Sequence, residues 1–277
     1  MSCEALIKSG LKKGEKCNYK TKQGNKYCGK HKNYDSNKNI EKKEQKENKI
    51  NNETIGIAFE KAWCIVSDIE CNHEEHRINY EYVNKFIPKI KVFLEENPKF
   101  IALKHIGDDN GDIDFIIQDN KTLSLKTLKK YEGKICPQNI GQPTYKRFDE
   151  IWSLDFMGKY EKNPSRLEFI KTNINIILNK MLENLFCCDW EIVGYDCEKN
   201  IKIDVLKKPT NMNYFDNLQL TFTRPEYEEK WNDKKQKNSE YSSLIKMGEL
   251  SVGELQFHKT SRNVIKFRFF SKFLKTI

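Results

Sequence analysis

The chain has 277 residues, 38% hydrophobic and 32% charged, with a net charge of +9, which is room for one substantial core and a small accessory module. Its first twenty residues are basic without an apolar run, and no stretch approaches the roughly 18 apolar residues of a membrane span, so a secreted or membrane-spanning protein is not expected. Residues 1–50 hold 14 Lys against six Asp or Glu, while the remainder is nearly neutral. A basic arm on a neutral body suits a polyanion such as nucleic acid, and equally suits a solubilising tail.

In chain order, the first feature is Cys3, Cys17, Cys28 and His31. Three thiolates and an imidazole, ending in a chelating Cys-x2-His turn, predict a closed structural zinc site in residues 1–32. A segment this small and polar needs such a staple to fold. Lys20, Lys22, Lys26 and Lys30 around it favour contact with DNA. Residues 33–52 are rich in Lys, Glu and Asn and read as a flexible charged linker. The main domain is expected over 53–277. Nine cysteines in an intracellular chain read as metal ligands and buried thiols, not disulfides. Cys64, Cys71, His73 and His76 form a second cluster, read here as structural, and Cys136, Cys187, Cys188 and Cys197 read as core thiols.

Apolar residues at helical spacing predict helices over 54–68, 80–96 (around Pro88) and about 165–185. Short strands are predicted over 100–106, 113–118, 122–127, 190–195, 201–206, 253–258 and 264–270. The class is α/β or α+β, a mixed sheet flanked by helices.

The segment GDIDFIIQDNKTLSLKT, residues 111–127, carries the sharpest chemical signal. Asp112 and Asp114 share one strand face, and Ser124 and Lys126 share one face of the next. Across an antiparallel hairpin the acids and the lysine come together. A carboxylate can fix a divalent cation, and a lysine can orient water or stabilise a pentavalent phosphate. An ordinary hairpin with charged outer residues fits the same pattern. Glu60 interrupts an apolar helix face and needs a partner. Pro137, Gly141 and Pro143 predict a shaped loop over 136–148, where Gln138 and Gln142, with Lys146 and Arg147, could hold water or contact DNA. In GELQFHKTSRNVIKFRFF, residues 253–270, Gln256, His258, Lys266 and Arg268 occupy the polar strand face and Arg262 the turn. That face suits a groove or a phosphate track.

At these residues the chain resembles the PD-(D/E)xK nuclease superfamily, to which many type II restriction endonucleases belong. Asp114 takes the first position and Ser124-Leu125-Lys126 the tripeptide, with Ser124 where an acid is usual. The Gly-Asp strand leading into Leu-Ser-Leu-Lys is most similar to restriction enzymes that cut GGCC-type sites. GIAFEKA resembles the superfamily's first helix, whose Glu, here Glu60, points into the metal site. The closing strands resemble those of some restriction enzymes, and YCGKH resembles small zinc modules in proteins of large DNA viruses.

The resemblance implies a restriction-endonuclease-like fold and a Mg-dependent enzyme cutting double-stranded DNA at a short specific site. Catalysis would involve Asp114, Lys126, Glu60, Ser124 and Gln138, with Mg on Asp114 and Glu60. The expected assembly is a homodimer and the expected location the cytoplasm, a virus-encoded enzyme acting in its host being one option. Two rival readings stay open: a non-enzymatic zinc-containing nucleic-acid-binding protein and a structure-specific repair nuclease.

Overall fold

The apolar stripe after residue 51 folds as helix α1, Asn52–Val66, which buries Ile55, Phe59, Ala62 and Trp63. The computed structural model describes residues 3–5, 7, 15–22, 27–28, 31, 51–107, 111–137, 140–154, 163–227, 239–258 and 263–277. The chain divides into two units, Met1–Asn51 and Asn52–Ile277.

In the larger unit, α2 (Tyr80–Glu96) starts where the Asn79 side chain accepts from the Tyr82 N–H and runs through Pro88 unbroken. Its buried Tyr82, Val83, Phe86, Ile90 and Leu94 follow the i, i+3, i+4 rule. Strands β1 (Ala102–His105), β2 (Phe115–Ile117) and β3 (Thr122–Thr127) are antiparallel neighbours. The turn between β2 and β3 holds Asp119 and Asn120 at φ 58° and 54°, a left-handed conformation that Asp and Asn tolerate better than most residues.

The chain then leaves the sheet through β4 (Lys134–Ile135), α3 (Tyr145–Ile151), α4 (Asn163–Thr172) and α5 (Ile174–Leu185). It returns as β5 (Trp190–Tyr195), which pairs parallel to β3, and β6 (Lys202–Leu206) closes the edge. A parallel pair needs a long crossover of this kind. The first sheet has the order β1-β2-β3-β5-β6. A second, antiparallel sheet has the order β4-β10-β9-β8-β7, with β7 at Thr221–Phe222, β8 at Ser239–Met247, β9 at Leu250–His258 and β10 at Val264–Phe270. A short α6, Ser271–Leu274, ends the chain.

The first sheet is covered on both faces. On one, the Phe59 ring of α1 lies 3.3 Å from where a Cβ on Gly194 would stand, so glycine there lets helix and strand approach. On the other, Val193, Tyr195 and Leu206 join a core with Ile177, Leu178 and Leu182 of α5 and Phe257, Phe267 and Phe269 of the second sheet. Arg166 of α4 makes two bonds to Asp149 of α3, at 3.1 and 2.8 Å, with both side chains under a tenth exposed.

The mixed α+β class follows the sequence reading, but two sheets stand where one mixed sheet was expected, and several details differ. The helix predicted over 165–185 is two helices meeting at Asn173, whose side chain donates to the Phe169 carbonyl and so competes with the backbone. Part of the predicted loop over 136–148 is helical from Tyr145, because the Thr144 hydroxyl caps the Arg147 N–H. The sequence reading assigned no strand to β4, β7 or β8; the first two are only two residues long, and in β8 serines blur the alternation.

Candidate functional site

Strand pairing sets out the site row by row. Phe115 pairs with Leu123, and the Asp114 N–H also donates to the Leu123 carbonyl at 3.0 Å, so the pairing is irregular at Asp114, just before the strand begins. On the other side of β3, Ser124 pairs with Glu191 and Lys126 with Val193. Residues in one row of a sheet point to one face, so Ser124 and Glu191 stand side by side on adjacent strands, and Asp114 joins them through the Ser124 hydroxyl.

Asp114, Ser124 and Glu191 are all buried. Asp114 Oδ2 accepts from the Leu125 N–H, and its carbonyl accepts from Ile106 and Gly107 at 2.9 and 3.0 Å. These bonds clamp the acid at the mouth of the hairpin. Lys126 Nζ donates to the Ser124 hydroxyl, which also bonds both Asp114 and Glu191. With one proton, that hydroxyl can donate to only one carboxylate at a time.

Burial, helped by the charge of Glu60, pushes Asp114 up to about 6, against the pull of Lys126. Burial pushes Glu191 up to about 8, with Lys126 opposing and Asp114 and Asp112 adding. For Lys126, burial disfavours the charge, but Glu191 and Asp114 more than compensate and raise its pKa. Crowded carboxylates beside one lysine form a site that favours added positive charge.

Glu60 reaches this cluster from α1. Its Oε2 lies 2.7 Å from His73 Nε2 and 3.2 Å from His105 Nε2. Despite burial, the two imidazoles hold Glu60 below the usual carboxylate range, and Glu60 raises His73 in return. The Asn72 N–H donates to His105 Nδ1 at 3.0 Å. The neutral His105 therefore carries its proton on Nε2 and donates to Glu60, which argues against metal ligation through that nitrogen.

Cys64 and Cys71 also lie within ligand distance of His105. The hydrogen bond between these thiols brings Cys71 down to about 6 and raises Cys64. His76, grouped with them in the sequence, instead lies exposed 3.6 Å from Glu74.

The N-terminal unit brings Cys3, Cys17, Cys28 and His31 together, with all four ligand atoms within 4.8 Å of one another. Backbone bonds Cys3–Tyr19, Cys17–Ala5 and Ile7–Glu15 place the two cysteine-bearing segments in antiparallel register, and His31 N–H closes the turn onto Cys28. Cys17 Sγ to Cys28 Sγ is 3.9 Å, Cys28 Sγ to His31 Nδ1 is 3.4 Å and Cys3 Sγ to His31 Nδ1 is 3.6 Å. Tetrahedral zinc bonds imply sulfur–sulfur and sulfur–nitrogen edges of about 3.8 and 3.5 Å. Burial pushes Cys3 up, but bonds from the Cys28 and Ala5 backbone and from His31 bring it down to about 6.

The expected DNA-contact residues divide. Gln142, Lys146 and Arg147 are exposed, with Arg147 pairing to Glu150 at 3.2 Å. Gln256 is buried, and its Oε1 faces Arg268 Nη2 and His258 Nε2, each at 3.1 Å. The polar face of β9 and β10 centres on Glu254, an acid to which the sequence reading gave no role. It pairs with Arg268 and Lys134 and accepts from Ser242. Lys266 flanks this network and is partly buried. Gln138 and Arg262 lie outside the described residues. Sequence reasoning also missed Glu191 and His105. A Glu inside an otherwise apolar strand, WEIVGY, was the available signal for the first.

The chain is 32% identical over 219 residues, 79% of its length, to the type II restriction enzyme CviAII of Paramecium bursaria Chlorella virus 1. The match spans 58% of that enzyme, so the chain covers less than two thirds of its relative. No family model matches the chain, and no solved structure matches it significantly.

Proposed function

We propose that the chain is a Mg-dependent endonuclease of restriction type, cutting double-stranded DNA at a short specific site. The observation that carries this reading is the meeting of the buried Asp114 with the half-buried Lys126 around Ser124. The similarity to a type II restriction enzyme supports it independently.

The hard oxygen donors of the cluster fit Mg, which prefers carboxylates and keeps several waters. When bound, such a cation polarises the scissile phosphate and lowers the pKa of attacking water. Asp114 is the ligand that the hairpin clamps in place. Lys126 presents its ammonium to the phosphate and the incoming water, and Ser124 holds that ammonium in position. Glu60 adds negative charge beside Asp114 and is itself held by His73 and His105. Lys146 and Arg147 are the exposed cations we assign to the DNA backbone. The four N-terminal ligand atoms have the chemistry and spacing of a structural zinc site, in a basic unit suited to gripping DNA. No helix among the described residues is long and apolar enough to cross a membrane.

The test is incubation of the full chain with a sequenced plasmid and Mg, followed by mapping of the ends. Discrete fragments are expected from the wild type and none from Asp114→Ala or Lys126→Ala, with duplex binding retained. Unimpaired cutting by both variants overturns the catalytic assignment. Salt-sensitive binding with no Mg-dependent products would favour a binding protein instead.

A further inference from the structure

We infer that Glu191 supplies the carboxylate that Ser124 does not, and that Glu191 and Asp114 together form the divalent-cation site of this domain. The inference rests on the nuclease reading for why a cation should be there, and on strand register for which residue holds it.

Ser124 is fully buried on β3 and pairs with Glu191 of the parallel strand β5. On its other side the Ser124 hydroxyl bonds the Asp114 carboxylate. Moving an acid from position 124 to position 191 displaces it by one strand, about 4.8 Å along the row, without changing the face it points to. A slip of one residue in the β3–β5 pairing would turn Glu191 away, so the register itself makes the exchange possible. The serine fits this geometry: a short hydroxyl leaves room between two carboxylates and bonds to either, where a third acid would add repulsion.

A second observation is independent of the row. Glu191 is 1% exposed, and its Oε2 has no hydrogen-bond partner among the described residues. A buried carboxylate oxygen with no donor is costly and calls for a ligand. Glu60, the other candidate, already gives Oε2 to two imidazoles.

The experiment is calorimetric titration of the full chain, its N-terminal unit loaded with zinc, with Mn2+ in the absence of DNA. Wild type is expected to bind one ion in this domain. Glu191→Gln, which keeps shape and removes charge, is expected to weaken that binding at least tenfold without lowering the melting temperature. Adding Ser124→Glu to Glu191→Gln returns an acid to the row and is expected to restore binding. Wild-type-like binding by Glu191→Gln overturns the inference. So does loss of binding in Glu60→Gln but not in Glu191→Gln, and so does a wild type that binds no Mn2+. The two readings fail separately. If the ion needs Glu191 but no DNA is cut, the cation site stands and the nuclease falls. If cutting is Mg-dependent and Glu191→Gln cuts and binds normally, the reverse holds.

Discussion

Replacing Asp114 by Asn should make the metal-free protein more stable while abolishing its chemistry. In the folded chain burial and the Glu60 charge push this carboxyl from 3.8 up to about 6, net of the attraction of Lys126. At about 1.4 kcal/mol per tenfold change in proton affinity, keeping it ionised at neutral pH costs the fold up to about 3 kcal/mol. The folded value lies above the unfolded one, so the cost is absent below about pH 3.8, grows towards pH 6 and is complete above it. Asn cannot ionise, and its carbonyl can still accept from the Leu125 N–H that Asp114 holds. Allowing for relaxation, a gain of about 2 kcal/mol is expected, a rise of roughly 4–8 °C in Tm for a unit of this size. The assay is thermal unfolding in EDTA near pH 7.5 and near pH 4. The gain should be full at the higher pH and shrink to a small remainder at the lower. A variant that melts below wild type near pH 7.5, or gains equally at both values, refutes the reasoning. Added Mg should then stabilise wild type and leave Asp114→Asn unmoved.

Lys126→Met keeps the bulk of the side chain and removes its charge, so cleavage should fall by about 10²- to 10³-fold while duplex affinity in a filter-binding assay changes little. Cleavage should rise with pH through about 6, as Asp114 gives up the proton that competes with the cation; a flat profile from about pH 5 to 8 would remove Asp114 from the site. Chelation, or Cys28→Ser, should unfold the N-terminal unit and leave the melting of the larger unit in place, which amide NMR signals of the two units can separate. Arg166→Met leaves Asp149 buried without its bidentate partner, a loss of about 3–5 kcal/mol; an unchanged urea midpoint would show that the pair contributes nothing net.

Local rules made part of this protein legible. The stripe Tyr82, Val83, Phe86, Ile90, Leu94 repeats at helical spacing and folds as α2 despite Pro88. The β2–β3 hairpin is legible because alternation and an Asp-Asn turn are properties of neighbouring residues. The break at Asn173 is less visible, since whether an Asn bonds back to its own helix depends on where its side chain is free to point.

Chain neighbours alone determined the hairpin that brings Asp114 and Lys126 into one cluster, and the Cys28–His31 turn with its soft-ligand chemistry. Tertiary structure decided who stands beside them. Glu191 lies 67 residues after Ser124 and meets it only because a long crossover returns β5 parallel to β3 in one register. His105 joins Glu60 across 45 residues, and Glu254 neutralises a strand face that reads as basic when its alternation is taken strand by strand. Periodicity reports which face a side chain takes on its own element. Which charges share a buried site is set by pairing and packing between elements.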